Sequence, residues 1–206
     1  MLEDRTDYAA IIHSAGECSN EELEDFLSEE LPYVWLDHYL ATTSRQTAVT
    51  RFFHGRFEYF YDDYATLEQT GAVPYSSLDE ARLVAVIGRS APQQTKRDDN
   101  RLRGWVGPTQ HIFGKEWDKG HYIAHSIGGA VDGLEANVFQ QRRDLNRGWS
   151  PEGKIFRSME HHCAAHPGTL CFHRPSYTDG TALPSTLEFG ILLPERKFWV
   201  EHFTNR

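Results

Sequence analysis

The stretch from residue 117 to residue 165 constrains this chain more than any other part of it. WDKGHYIAH reads as a strand, and SIGGAVDGLEANVFQ as a connection punctuated by glycines. Ser150 followed by Pro151 marks a helix start, because a proline in the first helical turn forfeits no hydrogen bond and a serine before it can cap the free amides. Ile155, Phe156, Met159 and Cys163 give that helix an apolar face, and Pro167-Gly168 ends it. The pattern places His121 on a strand and Asn146 just ahead of a helix, joined by a turn-rich connection.

The flanking segments supply the rest of an α+β pattern. RLVAVIGR is a β-branched run bounded by turn formers and reads as a buried strand, and GTLCFHRP and STLEFGILLP suggest two more. Between them SAPQQTKRDDNRLRGWVGP, polar and rich in Arg, Gly and Pro, reads as a long loop suited to substrate contacts. The N-terminal third reads as helical. SNEELEDFLSEEL has Ser19 and Glu22 in a capping-box arrangement, places Leu23, Phe26, Leu27 and Leu31 on one face, and stops at Pro32. In TAVTRFFHGRFEYFYDDYATLEQTG, Val49, Phe53, Phe57, Tyr61 and Tyr64 recur at steps of three or four, which predicts a second helix packed through its aromatic stripe. The expected organisation is a helical segment over residues 1–72 packed on a domain over residues 73–206.

Charge follows the same division. Residues 1–72 carry 15 Asp and Glu against 4 Lys and Arg, whereas residues 73–206 carry 15 against 17. The acidity therefore belongs to the N-terminal third, and the mildly basic remainder is compatible with a nucleic-acid surface. No apolar run approaches the ~18 to 20 residues that cross a bilayer. The start Met1-Leu2-Glu3-Asp4 is acidic where a secretory signal is basic, so a cytoplasmic protein without membrane partners is expected. Cys18, Cys163 and Cys171 lack finger spacing and suit reduced thiols, although a bridge between Cys163 and Cys171 stays open.

His121 and Asn146 have complementary chemistry if the fold brings them together. A neutral imidazole takes a proton from water near physiological pH, which suits a general base. An Asn carbonyl oxygen binds a hard cation without adding charge, so such an ion keeps most of its waters and draws on substrate oxygens. Phosphodiesters supply those oxygens, and Arg101, Arg103, Arg142, Arg143 and Arg147 can hold flanking phosphates.

DKGH at 118–121 followed by ANVFQQRRDLNRG at 136–148 resembles the signature of the DNA/RNA non-specific endonucleases, members of the ββα-metal (His-Me finger) superfamily. The resemblance covers about residues 82–193 and keeps the spacing from Asn137 through Gln141 to Asn146. It implies a ββα-metal core with a mixed or antiparallel sheet, and metal-dependent hydrolysis of DNA and RNA with little sequence preference. It further implies His121 as the general base and Asn146 as the direct protein ligand of one Mg²⁺, with Mn²⁺ able to substitute. Arg103, two residues ahead of Trp105, would contact the phosphate, and Glu160 would orient water at the metal. Lys119, Arg101, Arg143 and Arg147 complete the expected substrate contacts, while Asn137 and Gln141 would fix the loop that carries the site. Two departures stand out: Lys119 replaces the usual Arg, and the interval from Asn146 to Glu160 is longer than the family's.

Other readings compete. His125 has no matching catalytic role and is expected to pack. HHCAAHPGTLCFH offers His161, His162, Cys163, His166, Cys171 and His173 to a zinc ion, without a repeated ligand pair. A non-cleaving nucleic-acid-binding or interaction protein on a nuclease scaffold is the alternative function. If the chain cuts nucleic acid, a toxin or defence effector is expected, because such an enzyme endangers its own cell. That role implies an inhibitor protein as partner and a possible export route without a standard signal; the oligomeric state is open.

Overall fold

Helix α1 (Tyr8–Ser14) and the long helix α2 (Asn20–Thr42) lead into a β-rich body. The structure, a computed structural model, describes residues 6–71, 80–93, 114–130 and 135–206. Its frame is a six-stranded antiparallel sheet in the order β1-β2-β3-β6-β7-β8. These strands are β1 (Val49–His54), β2 (Phe57–Asp62), β3 (Arg82–Arg89), β6 (Leu170–Ser176), β7 (Thr186–Leu193) and β8 (Lys197–Thr204). A separate antiparallel pair joins β4 (Trp117–His121) to β5 (Val138–Arg142). The short helix α3 (Tyr64–Gln69) follows β2, while α4 (Arg143–Asn146) and α5 (Pro151–Ala165) follow β5. The molecule is thus α+β, with antiparallel sheets throughout the described residues.

The six-stranded sheet is covered on both faces. On one, Leu23, Leu27, Leu31, Trp35 and Tyr39 form a buried stripe at steps of four along α2, against Phe60, Val84, Ala85, Ile87, Phe172 and Phe198. Trp35 meets Phe172 at a ring separation of 4.7 Å. On the other face, Phe156, Met159 and Cys163 of α5 join Tyr122, Phe139 and Leu145 over Tyr59, Val86, Phe189 and Phe203. Strand alternation sends His173 to this second face and its neighbours Phe172 and Arg174 to the first. A register shift at Phe60/Tyr61 leaves Val84 as an extra residue, so Val84 and Ala85 both reach the helical side.

Three expectations are corrected here. Pro32 does not stop α2 but lies buried inside it. A proline removes one amide donor from the helical ladder, and the apolar contacts of Leu31, Trp35 and Tyr39 on either side outweigh that loss. The aromatic stripe of residues 49–62 is no helix; it is the β1–β2 hairpin, turning through Gly55-Arg56. Phe57, Tyr59 and Tyr61 alternate as well as recurring at helical steps, and strand pairing with β3 selects the period of two. Ile155, expected in the apolar face of α5, is exposed. Strands β5 and β8 add to those expected, and the boundary drawn between residues 72 and 73 lies outside the described residues.

Candidate functional site

The β4–β5 pair sets Asp118 opposite Gln141 and His121 opposite Val138. Gly120 is required by this pairing: a Cβ there would lie 2.3 Å from Gln141 Oε1, because the Gln141 side chain crosses directly over it. Beyond His121 the chain leaves the strand and is clamped by Asn137. The Asn137 amide donates to the carbonyls of Ile123 at 3.0 Å and Ala130 at 2.8 Å, and its oxygen accepts from Ile123 N at 2.9 Å. Tyr122 N donates to Asn137 O at 3.0 Å, and the Tyr122 ring stacks on Phe139 at 4.2 Å. These contacts fix the half-buried His121 at the strand end. His125 lies on the single 3-10 turn that follows.

Asp118 is the electrostatic centre of the site. Helix α4 presents Arg143, Asn146 and Arg147 at positions i, i+3 and i+4, the spacing that gathers side chains on one face. Arg143 Nε donates to Asp118 Oδ1 at 3.0 Å, and Arg147 makes a two-pronged contact of 2.6 Å to Oδ2 and 3.0 Å to Oδ1. Asn146 Nδ2 donates to Asp118 Oδ2 at 3.3 Å. Burial alone raises the Asp118 pKa, but the bonds from Arg147, Arg143 and Asn146 outweigh it and hold the carboxyl below its ordinary value. Because the Asn146 N–H₂ is committed to Asp118, its carbonyl oxygen is turned away from that carboxylate and is left to accept from elsewhere.

Arg142 faces a different set of acids, donating to Asp144 at 2.8 Å and to Glu152 at 3.0 Å. The Arg142 guanidinium brings the Asp144 carboxyl down to about 2. Four residues past Asp144, Gly148 takes a φ of 70° and reverses the chain into the start of α5, where Ser150 caps Gly153 N at 3.0 Å. Gly153 in turn lets α5 approach closely, since a Cβ there would lie 2.4 Å from Asp144 O.

Two further expected site residues, Lys119 and Glu160, lie on β4 and α5. Lys119 is half-buried on β4, and desolvation lowers its pKa. Glu160 is buried on α5, accepting from Arg157 at 2.5 Å; burial lifts its pKa to about 7 against the pull of Arg157. Arg101 and Arg103 lie outside the described residues. Asp118 is a site residue that sequence reasoning does not assign, although two arginines and an amide at i, i+3 and i+4 suit an acid facing them.

The zinc reading is not supported by the placement of its residues. Cys163, Cys171 and His173 point into the core, with His173 stacked on Phe189 at 4.0 Å, whereas His161 and His166 are exposed. All three cysteines are free thiols. Among the described residues no group of three or more His, Cys, Asp or Glu side chains could hold an ion, and no helix is long and apolar enough to cross a membrane.

No protein-family model matches the chain, and no curated protein matches it. Among solved structures, one described as Sda1 nuclease with bound zinc ion is similar over 82% of this chain and 81% of that one, at 12% identity and a TM-score of 0.39. Overlap this loose does not establish a common fold, so function rests on the site itself.

Proposed function

We propose that the chain is a metal-dependent endonuclease of the ββα-metal type that hydrolyses phosphodiester bonds of DNA and RNA. The observation that carries this reading is the Asp118 contact that orients the Asn146 amide, on the strand that ends in His121. The donor set suits a hard cation. Asn146 offers a neutral oxygen, and the nearby Asp118 charge is already balanced by Arg143 and Arg147. Mg²⁺, or Mn²⁺ in its place, would be held by Asn146 and would supply stabilisation of charge developing on the phosphate.

The side chains divide the remaining work. His121 takes the proton from the attacking water and so must be neutral. Arg143 and Arg147 give the site a net positive rim once Asp118 is balanced, which attracts the phosphate backbone. Such contacts carry no base information, in keeping with low sequence preference. Arg103, Arg101 and Lys119 are further phosphate contacts in this reading, and Glu160 orients water near the cation. A toxin or defence role, an inhibitor protein as partner, and synthesis in the cytoplasm complete the proposal; residues 1–72 are then part of the nuclease unit itself, since β1 and β2 extend the sheet that holds β3.

The test is incubation of purified protein with plasmid DNA and with RNA, in Mg²⁺ or Mn²⁺ and in chelator. Cleavage is expected only with the cation. His121→Ala should lose on the order of 10²- to 10⁴-fold in turnover while still binding nucleic acid, and activity of the native chain should rise with pH as the imidazole becomes neutral. Asn146→Ala should raise the cation concentration needed. Failure of either polymer to be cut at any Mg²⁺ or Mn²⁺ concentration would leave the non-cleaving binding protein as the better reading.

A further inference from the structure

Trp149 stands three residues past Asn146 and is 64% exposed, an unusual position for an indole in a folded chain. The exposure is built rather than incidental. Gly148 turns the backbone at a φ of 70°, Trp149 N is pinned to Asp144 O at 2.8 Å, and the next residue caps α5. The Arg147 guanidinium lies 5.1 Å from the centre of the indole ring, and that guanidinium is itself held by two nitrogens on Asp118. A cation seated on the ring and tied down from behind holds the platform in place. Of the other exposed large apolar side chains among the described residues, Phe53 lies on β1, Tyr33, Val34 and Leu40 lie on α2, and Ile155 lies on α5; none is aromatic on the turn that follows Asn146.

We infer that Trp149 and Arg147 form a stacking subsite for an unpaired nucleobase of single-stranded DNA or RNA, next to the phosphate held at Asn146; this rests on the nuclease reading above. With Arg147 over one face of the indole, the opposite face is the one offered to a base, and the guanidinium behind it adds positive charge for the neighbouring phosphate. A base inside a duplex has both faces covered by its neighbours, so it cannot stack on Trp149 unless it leaves the helix. The subsite therefore discriminates by strandedness rather than by sequence, because every base has a π face.

The experiment compares a short single-stranded oligonucleotide with a blunt-ended duplex formed from it and its complement. Binding is read by fluorescence anisotropy in the His121→Ala chain, where cleavage is suppressed, and kcat and KM are read in the otherwise native chain. Trp149→Ala should weaken single-strand binding roughly five- to a hundredfold, as loss of one stacked base does. Duplex binding should change by less than about twofold, and Trp149→Phe should restore most of the loss, since it retains a ring. In turnover the loss should fall on KM for the single strand and leave kcat nearly unchanged. If Trp149→Ala fails to fold, Trp149→Leu removes the aromatic face while keeping apolar bulk and reads the same contrast. Equal effects on both substrates, or none on the single strand, would remove the stacking subsite while cleavage by the native chain kept the nuclease reading intact. A native chain that neither cuts nor binds either substrate would remove both.

Discussion

The two faces of the six-stranded sheet bury polar groups on different terms. On the helical face the buried charges are matched. Glu188 accepts from Tyr8 at 2.8 Å and from Arg174 at 2.5 Å, and Asp62 accepts from Tyr39 at 2.5 Å and from Arg45 at 2.6 Å. On the face that carries α5 and the β4–β5 pair, burial instead drives groups toward neutrality. His173 is brought down to about 3 by burial, Glu160 is lifted to about 7, and the Gln141 amide atoms are buried without a hydrogen-bond partner among the described residues. The difference teaches where each face places its cost: the first uses its interactions to hold the molecule together, and the second tolerates costly groups on the side that also carries β4 and β5.

That comparison breaks first at Trp35. Trp35→Ala empties a fully buried position on the helical face and should cost about 3–5 kcal/mol in denaturant unfolding. Cleavage per folded molecule should stay at the native rate, and a proportionate fall in the activity of the folded fraction would show that the two faces do not act separately.

Glu160 tests the opposite face. Its folded pKa lies above the ordinary carboxylate value, so the folded state binds the proton more tightly than the unfolded chain does. The resulting stabilisation is fully present below pH ~4.5 and is lost as pH rises through about 7, an effect on the order of 3 kcal/mol for the shift from 4.5 to about 7. Glu160→Gln should remove this decline from a series of denaturant midpoints. An unchanged pH profile in the variant would mean that Glu160 binds its proton equally well in the folded and the unfolded chain.

Ser19 gives the smallest effect. Its hydroxyl accepts from Glu22 N at 3.2 Å while the Glu22 carboxylate accepts from Ser19 N at 2.8 Å. Ser19→Ala should lower stability by about 1 kcal/mol without touching turnover. A change in turnover would show that the start of α2 communicates with the far face of the sheet.

How much of this was legible from sequence depends on what competes at each position. RLVAVIGR, GTLCFHRP and STLEFGILLP became strands β3, β6 and β7, and Ser150-Pro151 opened α5, because local preference and burial agree there. The β1–β2 hairpin was hidden because aromatic residues so dense satisfy periods of two and of 3.6 together, and only the partner strand β3 decides between them. Pro32 misled for a related reason: a local penalty was visible, while the packing of Trp35 and Tyr39 that offsets it was not. In the candidate site the motif picked out His121, Asn146, Arg143 and Arg147. It could not show that Asp118 collects the last three, since that convergence depends on where α4 lies against β4.

The contact between Asn146 and Asp118 also dictates which residue position 146 can accept. An aspartate there would be nearly the same size and a stronger cation ligand in isolation. It would, however, set a second carboxylate oxygen where Asn146 now brings an N–H to within 3.3 Å of Asp118. Attraction would become repulsion between like charges, and the two arginines would be divided between two acids. The amide at 146 is thus selected by its neighbour: one acid is enough to gather the cluster, and a second would pull it apart.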